Sequence, residues 1–150
     1  MAGSLSVISR NISIYSIPHA ALSYNRWYGE FNDDRILYMQ KVLEINLERG
    51  MPTVDEAVRR MKSELSACKR GGAKAAVVIH GYGSSGVGGG IRTAARRALM
   101  GADMAGIVRD AVPGEQWHYR KRELLSACKP LSAYEGRIAN NEGVTVVLIK

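Results

Sequence analysis

Residues 77–92 read Val-Val-Ile-His-Gly-Tyr-Gly-Ser-Ser-Gly-Val-Gly-Gly-Gly-Ile-Arg, with six glycines in the ten positions from Gly81 to Gly90. A packed core has no use for such a run, because glycine brings no side chain to bury and loses the most backbone freedom on folding. The mostly apolar segment before it, Lys74 to Ile79, has the length and composition of a buried strand. The alanine-rich stretch after it places Ile91, Ala94, Ala95, Ala98 and Leu99 on one helical stripe. The glycines therefore occupy a strand-to-helix turn, and the chain contains at least one βα unit. Without Cβ atoms the turn can take positive φ and bring several backbone N–H groups to one ligand, while the helix N-terminus behind it favours an anion. Phosphate is the ligand these features suit.

The chain has 150 residues, 46% hydrophobic and 23% charged, which supports one domain with a core. Its formal net charge is +7. Residues 1–38 balance Arg10, Arg26 and Arg35 against Glu30, Asp33 and Asp34, so the whole excess lies in residues 39–150. A basic domain suits a polyanion. Cys68 and Cys128 sit in matching Leu-Ser-Ala-Cys-Lys stretches with no CxxC pair, and read as small buried hydrophobes. No dedicated metal cage is evident, and no cofactor is expected. No run of about 18 apolar residues is present to span a bilayer, and a cytoplasmic location away from membranes is expected.

Residues 1–38 lack a sustained period and are expected to form a peripheral N-terminal extension, disorder being one state open to it. From Met39 the patterning is strong. Val42 to Leu47 alternates, with Val42, Glu44 and Asn46 on one face of a strand and Leu43, Ile45 and Leu47 on the other. Thr53 with Glu56 forms a capping-box pattern ahead of a helix whose stripe is Val54, Ala57, Val58, Met61, Leu65 and Cys68, stopped by Gly71-Gly72. After the central strand and the second helix come a weaker strand over 107–112, a helix over 115–128, a loop over 129–142 and a last strand over 144–149. The order β-α-β-α-β-α-β argues for an α/β sandwich on a short mixed or parallel sheet.

The glycine turn contains a literal GxGxxG, Gly81-Tyr82-Gly83-Ser84-Ser85-Gly86, which admits a nucleotide-binding accessory role with Asp103 near the usual distance for a ribose contact. Against it, the helix starts nearer Gly90 than Gly86. A P-loop is excluded, because Gly86 is followed by Val87 and not by Lys-Ser/Thr.

The order Leu43-Glu44-Ile45-Asn46, Glu56-Ala57, His80-Gly81-Tyr82-Gly83 running through Gly90 to Arg92, and Gly143-Val144-Thr145-Val146-Val147-Leu148 resembles the small MutS-related (Smr) domain. The resemblance covers roughly residues 41–149, and the His-Gly-x-Gly with its glycine run is its specific part. It implies a two-layer α/β sandwich with a four-stranded mixed sheet, similar to the C-terminal domain of bacterial translation initiation factor three. It also implies binding to branched DNA or structured RNA, with nicking or cleavage in some members. The first-strand motif departs from the family: Glu44 stands for its aspartate and Asn46 for its histidine. Asparagine cannot act as a general acid or base, whereas glutamate can.

The candidate catalytic residues are accordingly His80 and Glu44. Candidates for nucleic-acid binding are Gly81, Tyr82, Gly83, Ser84, Ser85, Gly86, Gly88, Gly89, Arg92 and Arg96. His80 has two readings, a ring that hydrogen-bonds to hold the turn and a phosphate contact or proton-transfer group. Arg92 and Arg96, four apart, share a helix side, where they are either a solvated face or phosphate contacts. The segment Trp117 to Arg122 mixes aromatic and basic residues as a base-stacking surface would, although Trp117 is expected to pack on the core.

Overall fold

The computed structural model describes residues 41–83 and 89–150; the extension expected over 1–38 lies outside them, as do Ser84, Ser85, Gly86 and Gly88. The chain forms β1 (Val42–Asn46), α1 (Val54–Arg70), β2 (Ala75–Ile79), α2 (Gly90–Leu99), β3 (Val108–Pro113), α3 (Trp117–Ala127), α4 (Glu135–Ile138) and β4 (Val144–Ile149). Short 3₁₀ turns at Ala102–Met104, Gly114–Gln116 and Lys129–Tyr134 join the later elements. The strands make one four-stranded sheet in the order β1-β2-β4-β3. β1 and β2 are parallel, as an α-helical crossover requires, and β4 runs antiparallel between β2 and β3. The α/β class and the mixed four-stranded sheet are those expected.

The period-2 pattern sorts the strand residues between two faces. Ile45, Ala76, Val78, Val147 and Ile149 meet Ala57, Met61, Leu65 and Cys68 of α1 and Ala95 and Leu99 of α2. These two helices and the sheet are the layers of the expected sandwich. The structure adds cover on the other side: Val42, Ala75, Val77, Val144, Val146 and Leu148 pack against Trp117, Leu124, Leu131, Tyr134 and Ile138. That explains why every residue of β4 is buried, as a strand covered on both faces must be.

The segment expected as a loop over 129–142 is therefore corrected. Leu131, Tyr134 and Ile138 are buried, and the chain between them winds as a 3₁₀ turn and α4. Their spacing of three and four is helical, but Pro130 and Gly136 in the same stretch read as breakers. Burial of the three apolar anchors decides the outcome.

In the other elements the local signals hold. Thr53 Oγ1 accepts from the Glu56 N–H while Glu56 accepts from the Thr53 N–H, closing the capping box of α1. Gly72, at φ +80°, follows the C-cap of that helix. Cys68 and Cys128 are free and buried, and burial pushes the Cys68 thiol up to about 11, which makes it inert.

Candidate nucleic-acid interface

The glycine turn leaves β2 at His80 and is drawn in at its base. The N–H groups of His80 and Gly81 both donate to the Gly143 carbonyl at 3.0 Å, which ties the turn to the start of β4. Gly81 takes φ +68° and Gly83 φ +84°, a region that glycine enters without penalty. Gly83 and Gly89 then meet back to back. A Cβ on Gly83 would fall 2.5 Å from the Gly89 Cα, and the Gly89 N–H donates to the Tyr82 carbonyl at 2.9 Å. The described glycines thus shape the turn, and the N–H groups of Gly81 and Gly89 are spent on the protein itself rather than left for a ligand.

Donors remain one step further on. The first i to i−4 bond of α2 runs from the Thr93 N–H to the Gly89 carbonyl, so the amides of Gly90, Ile91 and Arg92 precede the helical ladder. Among the described residues no side chain caps this end, and its first turn holds no acidic residue, whereas α1 opens with Asp55 and Glu56. The helix dipole there is left for an outside anion.

His80 lies beside this end but inside the protein, 2% exposed. Its Nδ1 is 3.2 Å from the Gly81 carbonyl and its Nε2 2.9 Å from Thr145 Oγ1. A carbonyl only accepts, so Nδ1 carries the proton and the neutral ring accepts at Nε2 from the Thr145 hydroxyl. Thr145 in turn accepts from Arg96 Nε–H at 3.3 Å. Burial, against the help of the Gly81 carbonyl and reinforced by the charges of Arg96 and Arg92, lowers the His80 pKa to about 4. At neutral pH the ring is uncharged with both nitrogens occupied. Of its two readings, the geometry supports the one in which the ring holds the turn.

The arginines are oriented by carboxylates that the sequence did not single out. Arg96 makes a two-pronged pair with Glu115 at 2.8 and 2.9 Å and also donates to the Glu142 carbonyl at 3.0 Å. Burial raises the Glu115 carboxyl, and the bonds from Arg96 outweigh it, leaving the group below its ordinary value. Arg92 pairs with Glu142 at 2.9 Å, and Glu142 is largely exposed. Tyr82 is exposed, and its hydroxyl donates to Asn141 Oδ1. Thr145, Glu115, Glu142 and Asn141 were missed; only a hydroxyl amid the apolar residues of β4 hinted at the first.

Glu44 is elsewhere. It stands opposite Val77 in the β1–β2 register, on the face covered by α3 and α4, and pairs with Arg137. His80 projects from the other face, toward α2. The structure does not bring the two candidate catalytic residues together. Asn46 shares the Glu44 side, and its Oδ1 accepts from the Glu48 N–H at 2.9 Å, holding the turn after β1. Asp103 is held by Lys62 at 2.5 Å. Among the described residues no three His, Cys, Asp or Glu side chains converge to hold a metal ion, and no helix is long and apolar enough to cross a membrane.

No protein-family model matches the chain, and no curated protein matches it. A solved structure is similar to it. The crystal structure of the Smr domain of Thermus thermophilus MutS2 has 21% sequence identity and a TM-score of 0.43, covering 73% of this chain and 98% of that one. That domain is of the family whose motifs the sequence resembles.

Proposed function

We propose that the chain binds nucleic acid through the glycine-rich turn and the first turn of α2, contacting the phosphate backbone of branched DNA or structured RNA. The observation that carries this reading is the glycine neck, which leads into a helix N-terminus whose first amides lie ahead of the helical ladder, with no acidic residue in its first turn and Arg92 beside it. The net charge of +7 supports it, as does the resemblance of residues 41–149 to the small MutS-related domain. Arg92 contributes by exchanging exposed Glu142 for a phosphate. Arg96 contributes by holding the wall behind it.

Binding is preferred to cleavage because His80 and Glu44 occupy opposite faces of the sheet. The unmodified protein is expected to cleave neither substrate above background. Binding to a four-way DNA junction and to an RNA hairpin, followed by fluorescence anisotropy across a salt series, tests the reading. Affinity should fall steeply with salt, and Arg92→Ala should reduce the logarithmic slope by about one. Affinity independent of salt, or weaker than about 10⁻⁴ M at physiological salt, would overturn it.

A further inference from the structure

The sheet has a second end, opposite the glycine turn, where β2 and β3 begin and β4 finishes. The register of edge strand β3 shifts between Val108 and Asp110, and Arg109 at this irregularity is exposed. A bulge re-aims a side chain out of the regular alternation. Arg109 borders a groove of about 690 Å³ together with Tyr119, Arg122 and Glu123. It also borders a smaller one of about 290 Å³ that reaches Lys74 at the start of β2, and Ala127 lines both. The two therefore join into one open channel across this end of the molecule.

Charge and shape in the channel point the same way. Arg109, Arg122 and Lys74 are exposed, and neither arginine is in an ion pair with another described residue, unlike Arg92, Arg96 and Arg120. The facing carboxylate, Glu123, is already held by Arg120 at 2.7 Å. Tyr119 is 88% exposed, although Trp117, two residues before it, is entirely buried and packs α3 on the sheet. The tyrosine ring contributes little to the core and stands in water in the same groove lining as Arg109 and Arg122.

We propose that this channel is a second binding site, for a single-stranded nucleic-acid segment, with an unpaired base stacked on Tyr119 and flanking phosphates held by Arg109, Arg122 and Lys74. Aromatic platforms set among cations bind single strands because every base has a π-face and every linkage a charge. A duplex keeps its base faces inside the stack and meets only the cations. The site runs along α3 to the start of β3 and of β2, at residues other than those of the glycine turn, and stands or falls independently of the reading given above.

Anisotropy titrations of the full chain with labelled oligothymidylate, oligouridylate and a blunt duplex test the proposal, the first two separating DNA from RNA as the strand. Tyr119→Ala should weaken single-strand binding by about 5- to 150-fold and leave duplex binding unchanged, while Tyr119→Phe retains wild-type affinity. Arg109→Ala and Arg122→Ala should each reduce the single-strand salt slope by about 0.7. Loss of this Tyr119 effect, equal losses on duplex and single strand, or no single-strand binding by the wild type would overturn it. If Arg92→Ala changes nothing while Tyr119→Ala acts as stated, this site stands and the glycine-turn reading falls.

Discussion

Protonating His80 places a positive charge next to Arg96 in a site almost closed to water, so the folded chain resists the proton that the unfolded chain accepts near pH 6.5. The folded-state pKa of about 4 lies below the unfolded one. The stabilisation is therefore complete above about pH 6.5 and is lost as pH falls toward 4, to the extent of roughly 3 kcal/mol. Denaturant titrations of the wild type and His80→Gln across that range should show the difference between their stabilities shrinking as pH falls. A constant difference would mean that the ring is not buried neutral. The glycines give a second contrast at this scale. Gly83→Ala must carry a Cβ at φ +84° and within 2.5 Å of the Gly89 backbone, so a loss of about 1–3 kcal/mol is expected. Gly106→Ala meets nothing within 4 Å and has no positive φ, and should leave the melting temperature unchanged within about a degree or raise it slightly. Thermal denaturation of both variants checks the pair.

Among the elements, the run from Lys129 to Ile138 holds more of the fold than its composition advertises. Leu131 and Ile138 are fully buried under the β1–β2–β4 side of the sheet, and Tyr134 reaches the Val42 carbonyl. Leu131→Ala is expected to cost about 2–4 kcal/mol, read from chemical denaturation, because it opens a cavity in the cluster that Leu131 shares with Trp117, Leu124, Tyr134 and Ile138. A surface loop would give less than about 0.5 kcal/mol. The α2 helix shows the opposite balance. Its apolar face is narrow, and much of its hold on the rest comes from Arg96, which bridges Glu115, Thr145 and the Glu142 carbonyl. Arg96→Lys keeps the charge but loses the fork geometry, and a destabilisation of about 1–2 kcal/mol is expected by the same measurement.

For the whole molecule, the described residues already supply a sheet with both faces covered, which is the condition for a self-sufficient core. Residues 1–38 have no net charge and no apolar period. Deleting them is expected to leave the melting temperature nearly unchanged, and a large drop in a thermal scan would assign Trp27, Tyr28 and Ile36 to the core. The two proposed sites use different residues of the same domain, one at the carboxyl end of β2 and one along α3 as far as the start of β2. A chain that uses both would hold a duplex region and an unpaired strand at once.

Periodicity and turn chemistry are local, and what they dictate was legible without a structure. The alternation from Val42 to Leu47, the Thr53–Glu56 cap, the all-apolar β2 and the glycine turn into Gly90 each depend on residues within one turn or strand of each other. Trp117 was expected in the core and is there. The partners of the site were not legible. Arg96 and Glu115 are 19 residues apart and His80 and Thr145 are 65 apart. Which polar groups meet is set by β4 inserting between β2 and β3, a long-range pairing with no local signature. The same insertion settles how the His80 ring behaves. A histidine at a strand end is a general base or a buried strut according to what covers it, and here Thr145 and α2 cover it.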